Sequence, residues 1–146
     1  MNAFDAGMLH VLIVDDEPLA RSRLRTLLAA CDGPAAMVCG EAAHAAAARE
    51  LLARQRFDVV LLDIAMPGED GLDIARSLQQ LPDSPAVVFV TAHASHAVVA
   101  FDLEVVDYLT KPVRGERLLQ ALQKAGRWLK ERRAPSTMAR IPKAGH

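Results

Sequence analysis

Short apolar runs alternate with longer amphipathic ones along the chain. Residues 9–14 (LHVLIV) form one continuous apolar run that stops at Asp15-Asp16. Pro18 then opens a helix, since proline is tolerated at the first helical position. Leu24, Leu27, Leu28 and Cys31 follow at helical spacing, and Gly33-Pro34 stops it. Residues 36–39 (AMVC) read as a short strand, and the alanine-rich stretch 41–54 as a helix with Leu51 and Leu52 facing inward. Residues 57–62 (FDVVLL) read as the clearest strand, ending at Asp63. A turn follows at Met66-Pro67-Gly68. Leu72, Ala75 and Leu78 then mark a helix that runs up to Leu81-Pro82. Residues 86–90 (AVVFV) give a strand ending at Thr91, 95–102 a short helix, and 105–109 a strand ending before Lys111-Pro112. Leu118, Leu119, Leu122, Ala125 and Leu129 define the last helix.

This is a β-α unit repeated five times. Unbroken Val/Ile/Leu strands are covered on both faces, which implies a parallel sheet with helices on either side. Right-handed crossovers make the layout doubly wound, an α/β sandwich of the (βα)5 kind. From Pro135 onward apolar periodicity gives way to Pro, Ser, Thr and Lys, the composition of a linker or tail. The expected organisation is an N-terminal extension over 1–8, one domain over 9–133, and a linker or disordered tail over 134–146.

Composition adds bounds. A chain of 146 residues suits one domain, and 51% hydrophobic residues supply a core. The net charge of −1 gives no whole-chain signal for nucleic acid or membranes. Arg127, Lys130, Arg132, Arg133, Arg140 and Lys143 face the single acid Glu131, which reads as a solvated helix end and linker. Cys31 and Cys39 match no zinc or redox spacing and read as small buried hydrophobes. No apolar stretch reaches the roughly 18 residues of a membrane span. The first eight residues lack the features of a signal peptide. A cytoplasmic, reduced protein is expected.

In an open parallel sheet, ligands sit beyond the carboxyl ends of the strands, where strand order reverses. In this sequence those ends carry Asp15, Asp16 and Glu17 after the first strand, Asp63 after the third, Thr91 after the fourth and Lys111 after the fifth. Two carboxylates about 4 Å apart repel by roughly 1 kcal/mol in water and by more at a partly buried site. A hard divalent ion such as Mg²⁺ relieves that repulsion through oxygen ligands. Lys111 adds a compensating charge. A phosphoryl group on Asp63 would then have its charge met by Mg²⁺, Lys111 and the Thr91 hydroxyl. Each residue alone has a plainer reading: Asp15 and Asp16 as helix caps, Thr91 as another, Asp63 as a loop acid, Lys111 as a surface cation. Their joint placement at matching strand ends favours phosphate chemistry.

The segments Val14-Asp15-Asp16-Glu17, Leu62-Asp63-Ile64-Ala65-Met66-Pro67-Gly68 with Asp70-Gly71, Val90-Thr91-Ala92 and Asp107-Tyr108-Leu109-Thr110-Lys111-Pro112 together resemble the receiver domains of two-component response regulators. The resemblance covers residue 9 to about 133. It implies a flavodoxin-like, CheY-like fold with strand order 2-1-3-4-5. It implies that Asp63 accepts a phosphoryl group from a sensor histidine kinase, and that Asp15, Asp16, Asp63 and the Ala65 backbone carbonyl hold Mg²⁺. Lys111 would pair with the phosphoryl oxygens, Thr91 and Tyr108 would act as the switch pair, and the bond before Pro112 would be cis. The implied role is a signalling domain whose only chemistry is its own phosphorylation and dephosphorylation, not an enzyme.

Thr91-Ala92-His93, then Ala97 to Phe101-Asp102, then Val106 to Val113 are similar to the receivers of LytTR (LytR/AlgR)-type transcription regulators. That likeness implies output through a C-terminal DNA-binding domain for which this chain has no room. A stand-alone receiver, acting as a phosphorelay shuttle or interaction switch, is the alternative. Homodimerisation on phosphorylation is expected to use a surface drawn from Val98, Val99, Phe101 and Val105. Ala65 and His93, each two residues past a site residue, bear on phosphoryl lifetime.

Rival classes lack their signatures. Neither G-x-G-x-x-G nor G-x-x-x-x-G-K-[ST] occurs. A flavodoxin-like carrier would need a Ser/Thr/Gly phosphate loop where Asp15-Asp16-Glu17-Pro18 stands. A haloacid-dehalogenase-type phosphatase would need a second acid at position 65, which is alanine. His93 and His96 have nothing nearby to complete a metal site.

Overall fold

Alternating side-chain direction along the strands builds two cores, one on each face of a single sheet. In the computed structural model, which describes residues 7–66, 71–93 and 101–133, the elements run β1 (Met8–Val14), α1 (Pro18–Ala29), β2 (Ala35–Ala42), α2 (Ala45–Arg54), β3 (Val59–Asp63), α3 (Gly71–Gln79), β4 (Ala86–Thr91), β5 (Asp107–Thr110) and α4 (Gly115–Arg133). The five strands are parallel, in the order β2-β1-β3-β4-β5. β1 lies between β2 and β3, so strand order reverses beside β1, and the crevice at the carboxyl ends of β1 and β3 is the position where such a sheet binds ligands.

Leu9, Val11 and Ile13 of β1, with Val59 and Leu61 of β3 and Val88 and Val90 of β4, pack against Leu24 and Leu28 of α1 and Leu118, Leu122 and Leu129 of α4. Leu12, Val14, Val60, Leu62 and Phe89 point the other way, onto Ala45 and Ala48 of α2 and Ile74 and Leu78 of α3. Every residue of β3 and β4 is buried, as unbroken apolar runs require. No helix among the described residues is long and apolar enough to cross a membrane.

Several boundaries differ from the sequence expectation. β1 starts at Met8, inside the expected extension. β2 runs on to Ala42, and α2 begins only at Ala45, four residues later than expected. The extra strand length keeps Val14 paired with Ala42, across a register shift between Val11 and Leu12. His44 caps α2, its Nδ1 accepting from the Ala47 N–H at 3.2 Å. Gly40 is needed where β2 passes β1: a Cβ there would sit 3.2 Å from the Phe57 ring and 3.3 Å from Leu12. α1 stops at Ala29, before Cys31. Cys31 and Cys39 are half-buried rather than buried, each packed against the margin of one of the two cores. Burial, with Asp32 near Cys31, raises the Cys31 thiol; burial and Asp58 raise that of Cys39 against a backbone bond at Val11. The turn at 67–68, most of the 95–102 helix, His96, Val98, Val99 and the stretch from 134 on lie outside the described residues.

At the start of β5, Asp107 is nearly buried and receives two hydrogen bonds from Arg117 of α4, at 2.8 and 2.9 Å. Burial alone would raise this carboxyl. The Arg117 bonds, the Tyr108 N–H and the charges of Arg117 and Lys124 outweigh it and hold the carboxyl below its ordinary 3.8. A depressed acid contributes stability that is present above its unfolded pKa and is lost as pH falls through the folded value. Below about pH 4 the urea midpoint of the wild type should therefore fall more steeply than that of Asp107→Asn. Equal slopes would show that the pair adds nothing.

Candidate functional site

The sequence places an acid just past β1 because the apolar run ends at Val14, and another at the last position of β3. Asp15 is buried, its N–H bonded to Ala42 O and its Oδ1 accepting from the Glu17 N–H at 3.0 Å. Asp16 is half-buried beside it. Asp63 is also buried, and its Oδ1 accepts from the Ala65 N–H at 3.0 Å. One carboxylate oxygen from each of Asp15, Asp16 and Asp63 can be chosen so that all lie within 4.8 Å of one another.

Lys111 reaches this group from the loop after β5. Its Nζ lies 2.9 Å from Asp15 Oδ2 and 3.4 Å from both Asp63 Oδ2 and Glu17 Oε1. The 2.9 Å contact is an ion pair without hydrogen-bond angles, so Asp15 Oδ2 is buried with no hydrogen bond. Burial alone would lower the lysine's pKa, but Asp15, Asp63 and Glu17 outweigh it and raise it. Burial raises the Asp63 carboxyl and Asp15 adds to the rise, against the Ala65 N–H and Lys111. One ammonium thus faces three converging carboxylates, and a buried carboxylate oxygen has a lone pair to spare. That donor set fits a small hard cation that accepts oxygen ligands.

The remaining expected residues border the same rim. Thr91 is fully buried at the end of β4, and its Oγ1 accepts from the His93 N–H at 3.1 Å. Tyr108 in β5 lays its ring against the α2–α3 core while its hydroxyl donates to His93 O at 2.6 Å. Thr91 and Tyr108 therefore converge on one short backbone stretch. The Lys111-Pro112 peptide is cis, as is Gly33-Pro34. Ala65 is exposed and carries only a methyl side chain. Phe101 is 83% exposed, whereas Val105 packs partly against the α2–α3 core.

Three arginines around the site carried no readable signal, and Gly71 carried one only through the family pattern. Arg21 donates to Asp15 O at 2.7 Å and pairs with Glu41, which also pairs with Arg25. Arg23 donates to Val113 O. Gly71 opens α3 directly against the backbone of Asp63 and Ile64. Arginines on a helix look alike in sequence, and their partners lie up to 90 residues away.

A parallel five-stranded sheet with this acid group at its switch point defines a receiver-type signalling fold. Residues 11–123 match the response regulator receiver domain family, and the chain belongs to it. The chain is 48% identical over 119 residues to the positive alginate biosynthesis regulatory protein of Pseudomonas aeruginosa, covering 82% of this chain and 48% of that protein. It is 43% identical over 117 residues to the sensory transduction protein LytT of Bacillus subtilis, covering 80% and 48%. The chain spans about half the length of these curated relatives. Among solved structures, the response regulatory domain of mrkE from Klebsiella pneumoniae superposes with a TM-score of 0.75 at 33% identity, covering 84% of this chain and 98% of that one.

Proposed function

We propose that this receiver domain takes a phosphoryl group on Asp63 from a phosphohistidine of a sensor histidine kinase, with Mg²⁺ held by Asp15, Asp16, Asp63 and the Ala65 carbonyl. The observation that carries the reading is the convergence of three carboxylates within 4.8 Å, two of them buried, under a single lysine. A carboxylate oxygen of Asp63 forms the new P–O bond. The donor's P–N bond breaks, and its electron pair stays on the imidazole nitrogen, which takes a proton from water. Bound Mg²⁺ supplies charge neutralisation for the phosphoryl oxygens. Lys111 holds a positive charge next to Asp63 throughout, and its contacts with Asp15 and Glu17 pre-position that charge. The product carries roughly −1.5 to −2 charge where one carboxylate stood. That added charge draws in Lys111 and the Thr91 hydroxyl. The Thr91–His93–Tyr108 bonds then rearrange, and Tyr108 turns inward toward the room that Thr91 vacates.

The similarity to regulators about twice as long supports output through an attached DNA-binding domain, with transcription as the endpoint. A change around β5 and Phe101 then biases homodimerisation. The domain works in the cytoplasm, without catalysis beyond its own phosphorylation and dephosphorylation. Incubation with acetyl phosphate and Mg²⁺ should add the mass of one phosphoryl group, and EDTA should prevent it. No added mass under either condition would reject the reading.

A further inference from the structure

The stretch that carries Lys111 is short and poorly packed on one side. It runs from the end of β5 at Thr110 to the start of α4 at Gly115. A cavity of about 360 Å³ separates it from the first turns of α1; Leu19, Ala20, Leu24, Pro112 and Val113 supply apolar walls. Dense packing normally fixes the position of a loop. Along this stretch only Val113 is buried in the core, and directional bonds add to its hold. At one end, the Lys111 N–H donates to Thr91 O at 2.8 Å. At the other, Val113 O accepts two N–H groups from the Arg23 guanidinium, Nε at 3.2 Å and an Nη at 2.6 Å.

Arg23 sits in α1 and lines the same cavity as Lys111 and Glu17. A fork of two donors on one carbonyl fixes direction as well as distance, and a charged donor strengthens both bonds. Lys111 is contested by three carboxylates, with Asp15 and Asp63 inside and the exposed Glu17 outside. We infer that Arg23 is a positioning residue, which clamps Val113 O and thereby holds Lys111 against Asp15, within reach of Asp63. The inference rests on the proposed phosphoryl chemistry at Asp63 and adds a residue from another element to it.

The test compares initial rates of phosphorylation by acetyl phosphate in wild type, Arg23→Ala, Arg23→Lys, Lys111→Ala and the double variant Arg23→Ala/Lys111→Ala. Misplacing a group by about 1 Å can cost up to a hundredfold in rate. Arg23→Ala should therefore be slower by about tenfold or more. Arg23→Lys, which keeps one donor, should recover part of the loss. In the Lys111→Ala background Arg23→Ala should cost nothing further, because there is no ammonium left to aim. A wild-type rate in Arg23→Ala, or the same fold loss with and without Lys111, overturns the inference. The NMR resonance of the Lys111 ε-methylene in the unphosphorylated protein reports independently of labelling. It should move in Arg23→Ala, and an unmoved resonance overturns the inference even where wild type takes up no phosphoryl group. Absent uptake by wild type alone would instead overturn the assignment of Asp63.

Discussion

Asp63→Asn is expected to lose phosphoryl uptake by at least about a thousandfold while making the Mg²⁺-free protein more stable. The first effect follows from the nucleophile: an amide offers no anionic oxygen, and removing an essential nucleophile typically costs several orders of magnitude. The second follows from the electrostatics. Burial, with Asp15 close by, raises the Asp63 carboxyl. A group that holds its proton to higher pH when folded than when unfolded stabilises the fold at low pH. That contribution is lost as pH rises through the folded value. At neutral pH the charged Asp63 is therefore a cost, and a neutral amide removes it. A higher Tm than wild type in the absence of Mg²⁺ is the expected result. The Mg²⁺-induced rise in Tm should shrink in the same variant, since one carboxylate is gone. Intact mass after acetyl phosphate treatment and thermal melts with and without Mg²⁺ measure all three. A labelled variant would move the acceptor elsewhere, and a destabilised one would show that Lys111 needs Asp63 more than Asp63 suffers from its neighbours.

Gly71→Ala is expected to be the most disruptive glycine-to-alanine change among the described residues. A Cβ at this position would lie 2.6 Å from the Asp63 carbonyl oxygen and 2.7 Å from Ile64 Cα. Both are backbone atoms, so no rotamer change relieves the overlap. Either α3 moves away from the end of β3, or the acceptor residue's own peptide shifts. Overpacking of this kind costs about 1–3 kcal/mol, and the rigid neighbours place it at the upper end. Ile74, Ala75 and Leu78 would be drawn out of the α2–α3 core together with the helix. Urea denaturation should give a lower midpoint, and acetyl phosphate labelling of the folded fraction should be slower. Gly126, whose added Cβ would meet nothing within 4 Å, is the control, and Gly126→Ala should be neutral or slightly stabilising. A Gly71→Ala protein as stable as wild type would mean that the close approach is absent in solution.

The contrast between these glycines shows what a sequence can convey. Asp70-Gly71 was recognisable only as part of a family pattern; the need for glycine lies in a contact with β3 across the turn. Strands β3 and β4 were legible because burial on both faces forces an unbroken apolar spelling. The rim residues Asp15, Asp63, Thr91 and Lys111 were legible for a related reason: a polar side chain ending such a run marks the edge of the sheet. β2 was legible only in part. It is an edge strand with small, half-buried residues, so nothing in its spelling separates its last residues from the alanines of α2. Arg21, Arg23 and Arg117 were illegible, since their partners come from other elements and an arginine's sequence neighbours do not disclose them.

The far end of α4 has its own fastening. Arg132 donates to Ser84 O, Ser84 Oγ and Pro82 O, and stacks over Trp128 at 4.7 Å. Pro82 and Ser84 precede β4, whereas the acids lie beyond the carboxyl ends of β1 and β3. The end of the helix at Arg133 is therefore fastened to the rim opposite the one that carries the acids. A change of charge at the acids would have to cross the full height of the sheet to be felt there.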